Sequence, residues 1–286
     1  MNVVSGAIAT PRGGWWRALN PAIYLVSILP GAGVWQLSGA SGSASYPLLL
    51  ATLAVVFLQH SINVLNDVSD WRLGADEEKW DSWVHAHNEN LTVASIHGWL
   101  SFLCGGFLGL GVLIHTGKLW ILLIALPMVG LGYLYNSGKR PLSYTRMGEW
   151  ITGLCYGPGV VGCLWLLTNT PIDLRCVLAM IGFGALAIAL LFSHQPPQIE
   201  TDRQAGKHSF AVRFGAEKTY LASRMVLVVF FVTYGLTLAA HSNTLLLTTY
   251  SIAAVIATVL ILRKQPNPKR ILMLATGVVV LSVVVS

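Results

Sequence analysis

The sequence predicts an all-α integral membrane protein built as a bundle of nine transmembrane helices. Only 10% of its 286 residues are charged and 54% are hydrophobic, whereas a soluble domain carries about 25% charged residues. The mean hydropathy is +0.63, and nine apolar runs approach the length of roughly 20 residues that spans a bilayer. Backbone polar groups in lipid must be paired within their own segment, so these runs are predicted to be helices.

The chain is predicted to be a single transmembrane domain over residues 1–286. Its helices are predicted at approximately 21–38, 46–65, 93–115, 118–136, 149–168, 173–193, 222–241, 244–262 and 270–286. Residues 1–20 contain Arg12 and Arg17 and have no apolar core of a cleavable signal peptide. The first apolar run is therefore expected to be retained as a transmembrane helix.

Basic residues predict how the helices are oriented. With nine helices, the N-terminus and the connections after helices two, four, six and eight lie on the same side of the membrane. These segments contain 16 of the 18 Lys and Arg residues. Lys118 and Arg175 are the two exceptions, and Asp173 is the one acid of twelve on their side. The positive-inside rule makes the charged side cytoplasmic, with the N-terminus in the cytoplasm. The basic residues do not form a stripe interleaved with aromatics, so no nucleic-acid partner is predicted.

A polar stripe occupies the end of the second predicted helix. Gln59, Asn63, Asn66, Asp67 and Asp70 follow a spacing of three and four residues, so they share one helix face. Such a stripe is costly in a membrane unless it faces a cavity or partners. Clustered carboxylates and amides are hard-oxygen ligands of the kind that Mg²⁺ uses, completed by substrate phosphates and water. The alternative interpretation is a solvated helix end.

A second polar segment, HQPPQIETDRQAGK (194–207), follows the sixth predicted helix. Its prolines suit a helix start, after which Gln198 and Asp202 share a face. Gly206 and Lys207 predict a loop that carries a cation near the acids. Two acidic segments at one membrane face suggest a shared site, where the acids hold metal and Arg203, Lys207 or Arg213 meets a diphosphate. The alternative is an ordinary connecting loop.

Both segments resemble motifs of one family. The first aspartate-rich motif of the UbiA superfamily of membrane prenyltransferases is similar to NDVSDWRLGAD (66–76). The second motif of that superfamily is similar to QIETDRQAGK (198–207) followed by AVRFG (211–215). The spacing NDxxDxxxGxD is more similar to the menaquinone branch, which prenylates 1,4-dihydroxy-2-naphthoate, than to the ubiquinone branch. GYLY (132–135) resembles the middle of the menaquinone branch. The resemblance runs from about residue 16 to 218, and nine helices is also the architecture of the superfamily.

The sequence departs from the menaquinone branch at two places. Gln198 stands where many members of the menaquinone branch have Asp. A glutamine at this position is similar to the phylloquinone branch. KWDSWVHAH (79–87) stands where the family usually carries a GPxR-like basic segment.

The resemblance implies an enzyme of a bacterial inner membrane, with its active site on the cytoplasmic side. It implies Mg²⁺-dependent transfer of a polyprenyl chain from its diphosphate to 1,4-dihydroxy-2-naphthoate, with loss of CO₂. The metal-binding candidates are Asn66, Asp67, Asp70, Glu200 and Asp202, followed by Asn63, Asp76 and Gln198. The diphosphate-binding candidates are Arg72, Lys139, Arg203 and Lys207. The catalytic candidates are Asp67, Asp70, Asp202, Tyr135 and His194. Tyr135, or alternatively Tyr133, would shield an allylic cation, and His194 would accept a proton.

Three alternatives stay open at this point. The acceptor could be 4-hydroxybenzoate, homogentisate or a tetrapyrrole within the same superfamily. The chain could also be a catalytically silent relative. An ion-coupled transporter would use the acids as cation sites, but transporter sites tend to lie near the membrane midplane at broken helices, whereas these acids lie at predicted helix ends. The expected partners are the two substrates and the lipid bilayer, and the sequence makes no prediction of oligomeric state.

Overall fold

The computed structural model describes residues 14–40, 42–74, 81–136, 141–240 and 243–286. Within these ranges the chain is helical without any strand, and nine helices are long and apolar enough to cross a membrane. They are α1 (Trp15–Leu37), α2 (Ser45–Arg72), α3 (Leu91–His115), α4 (Leu119–Asn136), α5 (Gly148–Leu167), α6 (Leu174–Gln204), α7 (Ala216–Ala239), α8 (Thr244–Leu262) and α9 (Pro268–Val285). The predicted all-α bundle of nine membrane helices is therefore confirmed, and the chain is a multi-pass membrane protein.

Helices α2 and α7 extend beyond the predicted apolar runs: α2 continues to Arg72 rather than 65, and α7 begins at Ala216 rather than 222. In α1 the helical turn over Trp15–Leu19 ends at Asn20, which is left-handed (φ 41°), and the helical chain resumes at Pro21, as predicted. The predicted limits followed hydropathy, but backbone hydrogen bonding does not stop where the apolar side chains do. The extension of α2 keeps its polar stripe helical, as the spacing of that stripe predicted.

Small residues allow α5 and α6 to approach closely. A Cβ added at Gly157 would lie 2.5 Å from the Met180 carbonyl oxygen, and one at Gly184 would lie 2.8 Å from the Gly153 carbonyl oxygen. Close backbone approach between small residues is a common means of packing helices in membranes. α6 is the most buried of the nine helices, and it forms the centre of the bundle against α5 and α7.

α5 is not a regular helix along its whole length. A π-helical turn covers Cys155–Val161 and contains Pro158. Pro158 has no backbone N–H to give to the helix, and single π turns inside α-helices are frequent at functional sites. Cys155 and Tyr156 of this turn face the interior cavities described below.

Candidate active site

The polar stripe of α2 forms one wall of a cavity of about 410 Å³. Asn63, Asn66, Asp67 and Asp70 all line this cavity. Asp67 and Asp70 are only 6% and 4% exposed. The stripe is thus turned towards an internal space rather than towards lipid, which accounts for polar side chains on a membrane helix.

The end of α6 brings the second segment to the same cavity. A 3-10 turn over Pro196–Gln198 leads into a helical turn over Ile199–Gln204, as the two prolines predicted. Gly206 then adopts φ 74°, a left-handed conformation that suits glycine at a helix end. The Lys207 N–H returns to the Asp202 carbonyl oxygen at 2.8 Å. This turn reverses the chain and carries Lys207 back to the cavity wall.

One cation joins the two acidic segments. The Lys207 Nζ lies 3.5 Å from Asp70 Oδ2 and 3.4 Å from Asp202 Oδ1. Tyr144 supports the group, because its hydroxyl donates to Asp70 Oδ1 at 2.9 Å and its ring centre lies 4.8 Å from the Lys207 Nζ. Carboxylates 132 positions apart in the chain therefore share one positive charge in a buried site.

Glu149 at the start of α5 anchors the second segment. This carboxylate is 3% exposed. Its Oε1 accepts hydrogen bonds from the Gln195 side chain at 2.9 Å and the Phe210 backbone N–H at 2.6 Å. Gln195 in turn accepts from the Ala211 N–H at 3.3 Å. The pairing satisfies a buried charge and fixes the chain on both sides of Asp202.

The connection between α2 and α3 also reaches the site. The short helix Trp83–Ala86 follows Ser82, whose side chain accepts the His85 N–H and caps the helix. The Trp83 backbone N–H donates to Asp67 Oδ2 at 2.7 Å. The segment that departs from the family pattern therefore contacts a predicted metal ligand through its backbone rather than through an arginine.

The structure separates the remaining predicted residues into two groups. Tyr135, His194 and Gln198 line the cavity. Glu200 and Arg203 do not, because they form an ion pair with each other at 2.8 Å with side chains 69% and 56% exposed.

Four further predicted residues complete this comparison. Arg72 is exposed at the end of α2 and does not line the cavity. Tyr133 is 39% exposed and packs on Trp99 rather than facing the cavity. Asp76 and Lys139 lie outside the described residues.

Several residues of the site were not singled out as site residues from the sequence. They are Asp81, Trp83, Tyr144, Glu149, Gln195 and Ser209. Glu149 did carry a signal, since it is an acid at the beginning of an apolar run. The others are ordinary loop or helix-end residues, and only their tertiary contacts identify them.

A second cavity of about 300 Å³ lies between α2, α3, α4 and α5. Its walls are almost entirely apolar, with Leu58, Phe102 and Leu126 among them. Residues common to both cavities are Gln59, Ile62, Gly132, Cys155 and Tyr156. The two cavities are therefore neighbours that share one wall, with the polar cavity on one side of it and the apolar cavity on the other.

The donor set of the polar cavity is compatible with Mg²⁺. In the part of the chain that the structure describes, no three His, Cys, Asp or Glu side chains converge on a metal position. Mg²⁺ does not require such a cage, because proteins usually bind it through one or two carboxylates together with substrate phosphates. Asp70 and Asp202 already share a positive charge on the Lys207 Nζ, so the position between them favours a cation.

Comparison with known proteins identifies the family. Residues 24–279 match the UbiA prenyltransferase family. A 1,4-dihydroxy-2-naphthoate octaprenyltransferase of Haemophilus influenzae is 29% identical over 221 residues, covering 71% of this chain and 70% of that protein. A 2-carboxy-1,4-naphthoquinone phytyltransferase of a Synechocystis species is 28% identical over 209 residues, covering 71% and 66%.

Solved structures share the fold. The apo structure of a UbiA homologue from Aeropyrum pernix superposes with a TM-score of 0.68 at 15% identity, covering 93% of this chain and 98% of that one. A UbiA homologue from Archaeoglobus fulgidus bound to GPP and Mg²⁺ gives 0.64 at 16% identity, covering 94% and 98%. With a family match over most of its length, this chain belongs to the UbiA prenyltransferase family.

Proposed function

We propose that this protein transfers a polyprenyl chain from its diphosphate to 1,4-dihydroxy-2-naphthoate, in a Mg²⁺-dependent reaction that also releases CO₂. The observation that carries the proposal is the Lys207 Nζ between Asp70 and Asp202, in a polar cavity that shares a wall with an apolar one. The names of the curated relatives support the acceptor. The structure bound to GPP and Mg²⁺ supports the donor class and the metal.

The polar cavity is proposed to bind the diphosphate and the metal. When bound, Mg²⁺ supplies positive charge that neutralises the leaving diphosphate. The residues proposed to hold it are Asn66, Asp67, Asp70 and Asp202, with Gln198 beside them. Asn63 is left out of this set because its side chain lies beside the Tyr24 hydroxyl. Glu200 and Asp76 stay predictions.

Lys207 is proposed to contact the diphosphate directly. Its ammonium is a point charge with three donors on a flexible stem, and it lies between two carboxylates and over the Tyr144 ring. A diphosphate that enters with its cation can therefore draw Lys207 from the acids to its own oxygens. Arg72, Lys139 and Arg203 stay predictions for contacts outside this position.

The apolar cavity is proposed to hold the prenyl chain. Tyr135 lines the polar cavity, as does Thr152, and Gly132 nearby lines both cavities. An aromatic ring at this position can stabilise an allylic cation by roughly 0.5–2 kcal/mol. The electron-rich acceptor ring then attacks that cation. His194 lines the same cavity and stays the prediction for a proton acceptor.

The site is proposed to face the cytoplasm, in a bacterial inner membrane, with the N-terminus on the same side. The distribution of Lys and Arg supports this orientation. A diphosphate head is soluble in water, whereas the prenyl tail is not. The polar and apolar cavities match the two parts of such a substrate.

A reconstituted assay tests the proposal. Purified protein in nanodiscs is incubated with Mg²⁺, a labelled prenyl diphosphate and separate acceptors. We expect prenylated, decarboxylated naphthoate. Product only with 4-hydroxybenzoate, homogentisate or a tetrapyrrole would refute the proposed acceptor, and no product with any acceptor would refute the proposed reaction.

A further inference from the structure

Three histidines near the active site form one continuous hydrogen-bonded chain. The Tyr24 hydroxyl lies 2.6 Å from His60 Nδ1, His60 Nε2 lies 3.0 Å from His97 Nε2, and His97 Nδ1 lies 3.0 Å from His87 Nε2. These side chains come from α1, α2, α3 and the connection between α2 and α3. Neither acidic motif contains any of them, and the proposed function gives them no role.

The geometry restricts the protonation states of the rings. A neutral imidazole has one donor nitrogen and one acceptor nitrogen, and His60 and His97 each use both nitrogens within the chain. Two arrangements therefore satisfy all three bonds with neutral rings: every proton points from Tyr24 towards His87, or every proton points the opposite way. Passing one proton in at one end and one out at the other converts the first arrangement into the second. A single metal ion does not explain this chain, because the two nitrogens of His97 contact different histidines.

The two ends of the chain lie in different surroundings. At the inner end, the Tyr24 hydroxyl lies beside the Asn63 side chain on the wall of the polar cavity and near the Asp67 carboxylate. At the outer end, His87 is half-buried in the connection before α3. The chain therefore leads from the cavity wall towards the surface of the molecule.

Aromatic rings enclose the chain between its ends. The Trp83 ring packs edge-on against both His60 and His97, with centroids 4.9 Å apart in each case. Trp15 covers His97 and His87, at 5.6 and 4.9 Å. These rings cover part of the imidazole faces between the two ends of the chain.

We propose that Tyr24, His60, His97 and His87 form a proton relay between the wall of the polar cavity at Asn63 and the molecular surface. This inference rests on the proposed function for the identity of the acceptor. In the proposed step, a hydroxyl of the aromatic acceptor enters beside Asn63 and forms a hydrogen bond with the Tyr24 hydroxyl. Histidine is suited to this role because it exchanges protons readily near neutral pH.

The relay accounts for the proton that leaves the acceptor and for the proton that returns to the product. The acceptor hydroxyl gives its proton to Tyr24, Tyr24 gives its own to His60, and one proton leaves at His87. The resulting aryl oxide forms the new C–C bond, while the C–O bond of the prenyl diphosphate breaks and its electron pair leaves with diphosphate. Loss of the carboxylate as CO₂ returns an electron pair to the ring and restores the aryl oxide. One proton then returns along the chain to that oxygen.

Replacing His97 with Asn tests the relay in its middle, since an asparagine amide forms hydrogen bonds but does not exchange protons as imidazole does. The single-turnover rate of prenyl transfer is expected to fall about 100-fold, the size of a general acid–base contribution, with the KM for the prenyl diphosphate unchanged within about twofold. The matched control is His115→Asn, at the exposed far end of the same helix, which is expected to match the unaltered protein. A rate for His97→Asn within about twofold of the control overturns the relay, and so does a rise in KM without a loss of rate.

A surface variant covers the case in which His97→Asn does not fold. His87→Ala removes the outer end of the chain, and added imidazole is expected to restore its transfer rate at least about 10-fold. A purely structural role for His87 would give no such rescue, so its absence overturns the proposal.

A measurement without substrate separates this inference from the proposed function. In protein labelled with ¹⁵N at histidine, His87→Asn is expected to change the tautomer balance of His60, two rings away. Unchanged His60 signals overturn the relay even if prenyl transfer is observed. If another phenolic acceptor replaces the naphthoate in the assay, the relay is tested with that acceptor, so the two proposals fail independently.

Discussion

Replacing Lys207 with Met tests whether one buried cation holds the two acidic segments together. The substitution keeps an unbranched side chain of similar length but removes the charge and its donors. Lys207 is 15% exposed, and the carboxylates of Asp70 and Asp202 are 6% and 9% exposed. The variant therefore leaves two buried carboxylates facing each other without their shared partner.

The structure sets the expected size of the effect. Both carboxylate oxygens lie within 3.5 Å of one nitrogen, so they are no more than about 7 Å apart. Two unit charges at about 7 Å repel by about 2.4 kcal/mol at an effective dielectric constant of about 20. Removing one member of a buried ion pair typically costs about 3–5 kcal/mol. We expect Lys207→Met to lower the free energy of unfolding by about 3–5 kcal/mol in the absence of Mg²⁺.

Unfolding by SDS in mixed micelles, followed by tryptophan fluorescence, measures this loss. Adding Mg²⁺ is expected to stabilise Lys207→Met more than the unaltered protein, because the metal can take the position that the ammonium has left. Arg203→Met is the matched control, since the Arg203–Glu200 pair is equally short but exposed, and we expect it to cost less than about 1 kcal/mol. Equal losses in the two variants, or an equal response to Mg²⁺, would refute the reasoning.

Four further predictions follow from the site and its surroundings. Asp202→Asn is expected to lower turnover at least about 100-fold while the protein stays folded. The matched control, Glu217→Gln at an exposed position, is expected to leave turnover unchanged, and comparable rates in the two variants would remove Asp202 from the proposed site. Glu149→Gln is expected to lower the free energy of unfolding by about 1–3 kcal/mol, because Oε1 accepts two buried hydrogen bonds; an unchanged SDS midpoint would contradict this anchoring role. Gly106→Phe places a ring in the apolar cavity, where a Cβ meets no atom within 4 Å. It is expected to raise the KM for long prenyl diphosphates more than about 10-fold and to leave that for the shortest donor within about twofold; an equal change for both would argue against the tail site. Burial holds the pKa of His87 below its usual value, so the unfolded chain binds a proton more readily and stability is expected to fall as the pH drops below about 6.5. His87→Asn is expected to show a smaller loss over that range in SDS titrations at several pH values.

The amino-acid sequence by itself determined the nine membrane helices and the segments that carry the acids. Hydropathy over about 20 residues is a local property, and so is the spacing that places Asn66, Asp67 and Asp70 on one helix face. The turn at Gly206 was also readable, since glycine after a polar helix end favours a left-handed cap. The predicted helix limits were wrong by several residues at the end of α2 and the start of α7, because hydropathy marks the apolar run and not the end of backbone hydrogen bonding.

Only the tertiary structure decided which of the acids and cations share a site. Glu200 lies two residues from Asp202, yet its side chain pairs with Arg203 at the surface, while Lys207 turns inward to Asp70 on another helix. A difference of this kind depends on the direction in which each side chain leaves a short helical turn and on what packs against it. The same is true of Glu149, whose role comes from backbone groups of a distant segment. Long-range pairing of buried charges follows from how the helices pack, which the local pattern of residues does not contain.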